Sequence, residues 1–570
     1  MVTRYISTFV FLKLLKMKKI YFLFFVILVC GNGWSQVSPD KYWVRFTDKN
    51  NSPYSVNNPE EFLSQRAIDR RIQFGIEIVE NDLPVNPQYI EGVVNTGVTI
   101  LTVSKWMNSV TIFTTDTNAL DQINQLPYVE SIVKGTAGIQ SPDQKPFFIN
   151  ESYFKIPEDE FLKSLTSYDY GAAYNQIHMI NGDALHDLGY NGSGKIIAVL
   201  DAGFMNADAI DAFDSLWDSG RILGVRDFVN PLNPDIFGSH YHGTMVLSTM
   251  GANWAGNLVG TAPGASYWLI RTEDGDSEYL IEELNWVSGA ELADSVGADI
   301  INSSLGYTEF DNILQNHTYE DMDGNTTPVT NGADMAASKG LVVVNSAGNS
   351  GSSQWQYIGA PADGDSVFSI GAVDEMGNYA GFSSTGPTYD GRIKPNVVAQ
   401  GQGSAIIDPW TGDVSYGSGT SFSSPITAGM VACLWQANPD KRNTELMTAI
   451  QMSGSQANEP DNYLGFGIPD YLFANNLLTV VDKNKKPDIS IGIFPNPFAE
   501  VINIRIDNLF KGTVIHYIIS DITGKVLLQG ESGDEANDLQ IVSTSSLSEG
   551  FYFLTVTFGE VQETLKIVKE

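Results

Sequence analysis

Cysteine is nearly missing: a chain of 570 residues has two. Cys30 closes an N-terminal apolar run and Cys433 lies in an apolar helical stretch, so no disulfide framework holds this protein together. Its stability has to come from sizeable hydrophobic cores, as in a bacterial exported protein. Basic residues are also short, 33 Lys and Arg against 67 Asp and Glu, for a net charge of −34. That balance argues against nucleic acid and anionic membranes as partners. After residue 30 no hydrophobic run is long enough to cross a bilayer as a helix. Internal repeats and low-complexity or collagen-like segments are absent too.

What is present begins with a targeting segment. Lys16, Lys18 and Lys19 precede an apolar run over 20–30, and small residues at Gly33 and Ser35 follow. The pattern predicts a signal peptide over 1–35, with Met17 as an alternative start. Its removal takes away Arg4, Lys13, Lys16, Lys18 and Lys19 and no acidic residue, leaving the remainder more acidic still. A lipid anchor on Cys30 fits poorly, because Val29 is bulky where a small residue is needed.

The length calls for several domains. Residues 37–133 alternate strand-like runs with helical stretches, a small α+β pattern. A polar, proline-bearing linker at 134–166 completes a first region over 36–166. From 167 to 481, short apolar strands without alternation (196–200, 267–270, 299–302, 341–344, 367–370) alternate with helices. Strands of that kind are buried on both faces, which predicts a mainly parallel sheet in a three-layer α/β/α arrangement. A polar link at 482–488 leads to 489–570, whose short alternating strands predict a β-sandwich.

In parallel sheets the working residues gather at the carboxyl ends of strands. Asp201 ends the 196–200 strand. His242 enters a helix through Gly243-Thr244, with His240 a competitor nearby. Asn349 lies in the glycine-flanked turn Ser346-Ala347-Gly348-Asn349. Ser421 stands in Gly417-Ser418-Gly419-Thr420-Ser421-Phe422-Ser423-Ser424-Pro425, just ahead of a wholly apolar helical run. Serine hydroxyl needs a base within reach, imidazole has the right pKa, and a carboxylate fixes the imidazole tautomer. Singly, these residues read as a turn aspartate, a surface histidine, a turn asparagine and a helix cap. Together they are the parts for nucleophilic acyl transfer, with an amide donor for the oxyanion.

On these residues, 167–475 resembles the subtilisin-like serine proteases, the subtilases. The Asp block is Ile197-Ala198-Val199-Leu200-Asp201-Ala202-Gly203, the His block His242-Gly243-Thr244-Met245-Val246, and the Ser block Gly419 to Pro425. The order Asp, His, Ser is that of the family. Gly260-Thr261-Ala262-Pro263-Gly264-Ala265 and Lys394-Pro395-Asn396 also fit. Ala202 and Asn396 depart from the commoner residues but remove no catalytic atom.

The resemblance implies Ser421 as nucleophile, His242 as base and acid, Asp201 as orienter and Asn349 as oxyanion donor. Ser304-Leu305-Gly306 and Ala347-Gly348 would line the substrate cleft, and no cofactor is needed. The activity implied is that of a secreted endopeptidase acting on protein or peptide substrates. A binding protein that keeps the fold without activity is the alternative. An α/β-hydrolase esterase fits less well, since Ser423 stands where Gly-x-Ser-x-Gly needs its second glycine. The first region would be a propeptide, a partner in folding. Residues 489–570 resemble the sorting domain of the type IX (Por) secretion system, on Phe494-Pro495-Asn496-Pro497, Leu547-Ser548-Glu549-Gly550-Phe551-Tyr552 and Lys566-Ile567-Val568-Lys569. That implies periplasmic transit, then release or surface attachment by that machinery. Finally, Asp321, Asp323 and Asn325 place oxygens at alternate positions in a loop, a pattern that suits structural Ca²⁺.

Overall fold

A computed structural model of the chain describes residues 40–135, 152–154, 168–483, 491–506, 516–521, 525–531, 539–558 and 561–570. The expected signal peptide, nearly all of the 134–166 linker and most of the 482–488 link lie outside the described residues. The chain divides into two compact units, Met1–Leu478 and Thr479–Glu570. Among the described residues, no helix is long and apolar enough to cross a membrane.

The first unit opens with strands β1 (Lys41–Phe46), β2 (Thr99–Ser104), β3 (Ser109–Phe113) and β4 (Val129–Lys134), an antiparallel sheet ordered β2-β3-β1-β4. Helices Pro87–Val94 and Thr117–Asn124 contribute Val93, Ala119 and Ile123 to its core, beside Val44, Val110 and Ile112. A short strand β5 (Ser152–Phe154) stands apart from this sheet.

The main sheet is built on β6 (Ile196–Asp201) and β7 (Ile222–Asp227). After a small hairpin, β8 (Asn253–Trp254) with β9 (Leu258–Val259), come β10 (Ser266–Arg271), β11 (Ile300–Ser303), β12 (Val342–Ser346), β13 (Val367–Val373) and β14 (Val397–Gln400). The sheet order is β14-β13-β12-β11-β6-β10-β7, and every pairing is parallel. Ile197 and Val199 face one core, and Ile196, Ala198 and Leu200 face the other. The non-alternating apolar strands are thus buried on both faces, as expected. Helices Thr420–Ala437 and His242–Gly251 supply the first core. Helices Ile281–Val296 and Pro328–Ser338 supply the second. From β6 the chain continues to β7 on one side and from β11 to β12 on the other, so the carboxyl ends of the adjacent β6 and β11 form a topological switch point, where a crevice opens. A hairpin, β15 (Ser404–Ile407) with β16 (Val414–Ser418), runs into helix Thr420–Ala437, and β5 pairs with the outer side of β16.

The N-terminal sheet and helix Gln65–Phe74 lie against helix Ile281–Val296 through buried charge. Asp294 binds Arg70 at 2.7 Å, Arg71 at 2.9 Å and Lys105 at 3.4 Å. Arg71 also binds Asp82, which binds Lys339. Glu291 caps the turn after β2, accepting from Ser104 Oγ, Lys105 N–H and Trp106 N–H. Burial alone would raise the Asp294 carboxyl, but Lys105, Arg71 and Arg70 hold it down at about 2.

The second unit has two antiparallel sheets. The first is β17 (Ile491–Phe494), β18 (Val501–Ile506) and β21 (Leu539–Ser543), ordered β17-β18-β21. The second is β19 (His516–Ser520), β20 (Val526–Glu531), β22 (Gly550–Phe558) and β23 (Val561–Lys569), ordered β20-β19-β22-β23. Ile502, Ile504 and Val542 from one sheet share a core with Ile519, Leu554, Val556 and Ile567 from the other. This is the expected sandwich.

Removing one partner of a buried ion pair leaves the other charge uncompensated. Asp294→Asn should therefore cost roughly 3–5 kcal/mol at neutral pH. Because the folded carboxyl titrates below its unfolded value, this contribution is present above the ordinary carboxylate range and fades as pH falls toward 2. Urea unfolding of wild type and variant at pH 7 and pH 3 measures it. A loss under about 1 kcal/mol at pH 7 would contradict a network of this strength.

Candidate active site

Three elements bring the site together. Asp201 ends β6 at the switch point and is fully buried. His242 is the first residue of helix His242–Gly251, also fully buried, and its Nδ1 lies 2.8 Å from Asp201 Oδ1. An ionised carboxylate only accepts, so the Nδ1–H faces Asp201 and Nε2 is left as the basic atom. The close approach needs Gly243: a Cβ there would stand 2.4 Å from Gly203 O and 3.0 Å from Asp201 Cβ. The Asp201 Oδ1 also accepts from Ala202 N–H at 2.7 Å. The His240 ring packs tilted against Tyr241, 4.2 Å between centroids, and its Nδ1 accepts from His242 N–H at 3.4 Å.

Ser421 is the second residue of helix Thr420–Ala437, whose N-cap is Gly419. The imidazole of His242 lies 6.3 Å, centroid to centroid, from the ring of Phe422, the residue after Ser421. The helix is buried on every side from Thr420 to Trp435. Pro425 has no N–H, so the Ser421 carbonyl lacks its helical donor. Ser304 Oγ donates to it instead, at 2.9 Å. Asn349 attaches to the same helix start: its Oδ1 accepts from Thr420 N–H at 2.8 Å and Thr420 Oγ1 at 3.0 Å. Gly348 N–H donates to Thr420 Oγ1 at 3.1 Å. With Oδ1 committed to Thr420, the amide is fixed and its NH₂ edge is turned the other way. Gly348 has φ 107°, a left-handed conformation that favours glycine.

A small, partly open cavity lies alongside, lined by Gly306, Ala347 and Gly348. Ser304 and Leu305 have other duties. Ser304 holds the nucleophile helix, and the Leu305 side chain belongs to the second core. Thr308, Trp355 and Tyr357, which also line the cavity, were not singled out from sequence. Among the described residues, none that lines it is charged. Ser346 Oγ is buried and has no hydrogen-bond partner among the described residues. Gly359 keeps the cavity open, since a Cβ there would stand 2.9 Å from Thr308 Cγ2.

The loop expected to suit a cation is held by local hydrogen bonds. Asp321 Oδ2 accepts from Thr318 N–H and Oγ1, capping a turn. Asp323 accepts from Asn325 N–H, Thr326 N–H and Thr326 Oγ1, and Asn325 Nδ2 donates to Asp323 O. Among the described residues, the carboxylates whose ligand atoms converge, within 4.8 Å, are Glu273, Glu278 and Glu282. There Tyr307 OH donates to Glu273, and Asp274 N–H and Tyr279 N–H donate to Glu282.

Residues 192–467 match the model of the subtilase family. Subtilisin DY of Bacillus licheniformis is 31% identical over 296 residues, 51% of this chain and 94% of that protein. The chain belongs to the subtilase family. Subtilisin of Bacillus pumilus is 30% identical over 287 residues, 49% of this chain and 90% of that protein. Subtilisin E of Bacillus subtilis is 31% identical over 287 residues, and there the match spans 65% of the relative's length. Residues 41–146 match the peptidase S8 propeptide domain of Bacteroidota. Residues 492–570 match a secretion-system C-terminal sorting domain, which marks this subtilase for export to the cell surface or beyond.

Thr420 couples Asn349 and Gly348 to the nucleophile helix. Thr420→Val removes both hydroxyl contacts and leaves the buried Gly348 N–H without its acceptor, at an expected cost of about 1–3 kcal/mol. Thermal unfolding of the variant tests it, and an unchanged midpoint would show that these contacts are incidental.

Proposed function

We propose that the protein is an exported serine endopeptidase, made as a precursor and acting through Asp201, His242 and Ser421. The observation that carries this reading is the buried Asp201–His242 hydrogen bond beside the helix start that bears Ser421. His242 Nε2 takes the Ser421 hydroxyl proton as Oγ attacks the peptide carbonyl. The tetrahedral oxyanion is met by the Asn349 amide and the Ser421 backbone N–H at the positive end of the helix. His242 then returns the proton to the leaving amine, and water hydrolyses the acyl-enzyme by the same route in reverse. No cofactor enters these steps. The 36–166 region is the propeptide and folding partner, and 167–481 the peptidase domain.

The cavity between Gly306 and Gly348 is the pocket for the residue before the scissile bond. Its aromatic walls, Trp355 and Tyr357, and its lack of charge favour a neutral, largely apolar side chain. A carboxylate or ammonium there would be desolvated without a partner.

A phosphonate carrying a leucine or phenylalanine side chain should label Ser421 covalently in the processed protein. A glutamate analogue should react at least about ten-fold more slowly, consistent with the cost of an unpaired charge. Ser421→Ala should take no label. Asn349→Ala should lower kcat by about 10²- to 10³-fold with little change in KM. Absence of an adduct in wild type would leave the binding-protein alternative standing.

We propose further that 489–570 is the sorting domain read by the type IX machinery after periplasmic transit. A chain ending at residue 488 should accumulate in the periplasm, as fractionation and immunoblotting would show. Its normal appearance in the medium would refute the assignment.

A further inference from the structure

Two features close to Ser421 take no part in the chemistry above. The first is the outer edge of β16. There β5 pairs antiparallel, with Ser152 opposite Ser418, Tyr153 opposite Gly417 and Phe154 opposite Tyr416. The protein's own chain thus shows that this edge accepts an extended polypeptide. It also gives the direction. The end of β5 nearest Ser421 is its N-terminal end, and the strand runs away from the nucleophile toward the turn between β15 and β16. A substrate that crosses Ser421 and continues this way lies on the C-terminal side of the bond under attack, the leaving-group side.

The second feature is Trp410, which stands on that turn and is 49% exposed. Its ring lies 4.8 Å from the ring of Tyr241, the residue before His242. Tyr241 in turn packs on Met245, Ile406 and Phe422, the cluster beneath His242 and Ser421. The turn is fixed at both ends. Asp408 Oδ1 accepts from Trp410 N–H at 2.8 Å and Thr411 N–H at 3.2 Å. Asn206 Nδ2 donates to Pro409 O at 2.9 Å, tying the turn to the segment after Asp201. A large apolar ring is therefore held half in water at a set distance from the reacting centre.

We infer that Trp410, backed by Tyr241, is a specificity-determining residue for the leaving-group side of the substrate. It receives an apolar or aromatic side chain within about four residues after the scissile bond, as an extended strand on β16 advances at ~3.3 Å per residue. The inference rests on the peptidase reading above. One aromatic contact of this kind is worth roughly two- to ten-fold in selectivity.

Acyl transfer tests it. The processed, secreted protein is acylated from a peptide p-nitroanilide, and short peptide amides compete with water for the acyl-enzyme. Each acceptor carries phenylalanine or glycine at one position, moved through the second, third and fourth places. The phenylalanine-to-glycine product ratio is internal to one acyl-enzyme, so the amount of folded protein does not enter it. Wild type should favour phenylalanine by about two- to ten-fold at one of these places. Trp410→Ala should bring that ratio to near one, Tyr241→Leu should lower it, and Trp410→Phe should keep most of it. A wild-type ratio near one at every place, or a Trp410→Ala ratio equal to wild type, overturns the inference. Absence of p-nitroaniline release from wild type instead defeats the peptidase reading on which it rests.

Discussion

The Ser421 carbonyl depends on a donor from another part of the chain. Pro425 cannot give the helical N–H, and a buried carbonyl without a partner is costly, by about 1–3 kcal/mol. Ser304 supplies the bond from the segment that follows β11. One constraint therefore sets two things: the helix bearing Ser421 cannot slide, and the Ser304-Leu305-Gly306 segment cannot move without it. Asn349 does the same from β12's side by capping Thr420. Strand ends β6, β11 and β12 are neighbours in the sheet, so the side chains they carry reach one helix N-terminus without a long loop.

Charge is used quite differently at the propeptide region. The protein as a whole is strongly acidic, yet Arg70, Arg71, Lys105 and Lys339 are buried around Asp82 and Asp294. Buried pairs recover little net energy once desolvation is counted. They do penalise any arrangement that separates them, because a stranded charge finds no substitute partner in the core. The network therefore fixes how helix Gln65–Phe74 lies on helix Ile281–Val296 more than how stable the pair is. Glu291 adds a second point of register at the 104–106 turn.

Much of this could be read from sequence, and the exceptions have a common cause. Asp201, His242 and Ser421 each sit where a strand or helix starts or ends, and local patterns mark such places. The same holds for the parallel sheet, since its strands are apolar without alternation. Ser304 was expected along the cleft, and its role as a helix donor was not legible: its partner is 117 residues away and shows itself only through the missing N–H of Pro425. Trp355 and Tyr357 reach the cavity through a loop with no periodicity. The loop at 321–325 has a composition that suits a cation, and its Asp side chains also accept from nearby N–H groups, a local role that composition does not reveal.

The link between β16 and the helix decides how far this precision extends. Only Gly419 separates Ser418 from Thr420, and its N–H is held by Gly401 O at 2.8 Å. The strand that can pair with a polypeptide edge and the helix that holds Ser421 are thus consecutive, with no flexible connection between them. A chain hydrogen-bonded to β16 is in register with the nucleophile by covalent geometry alone. The protein's own β5 occupies that edge, so the same covalent geometry sets its register too.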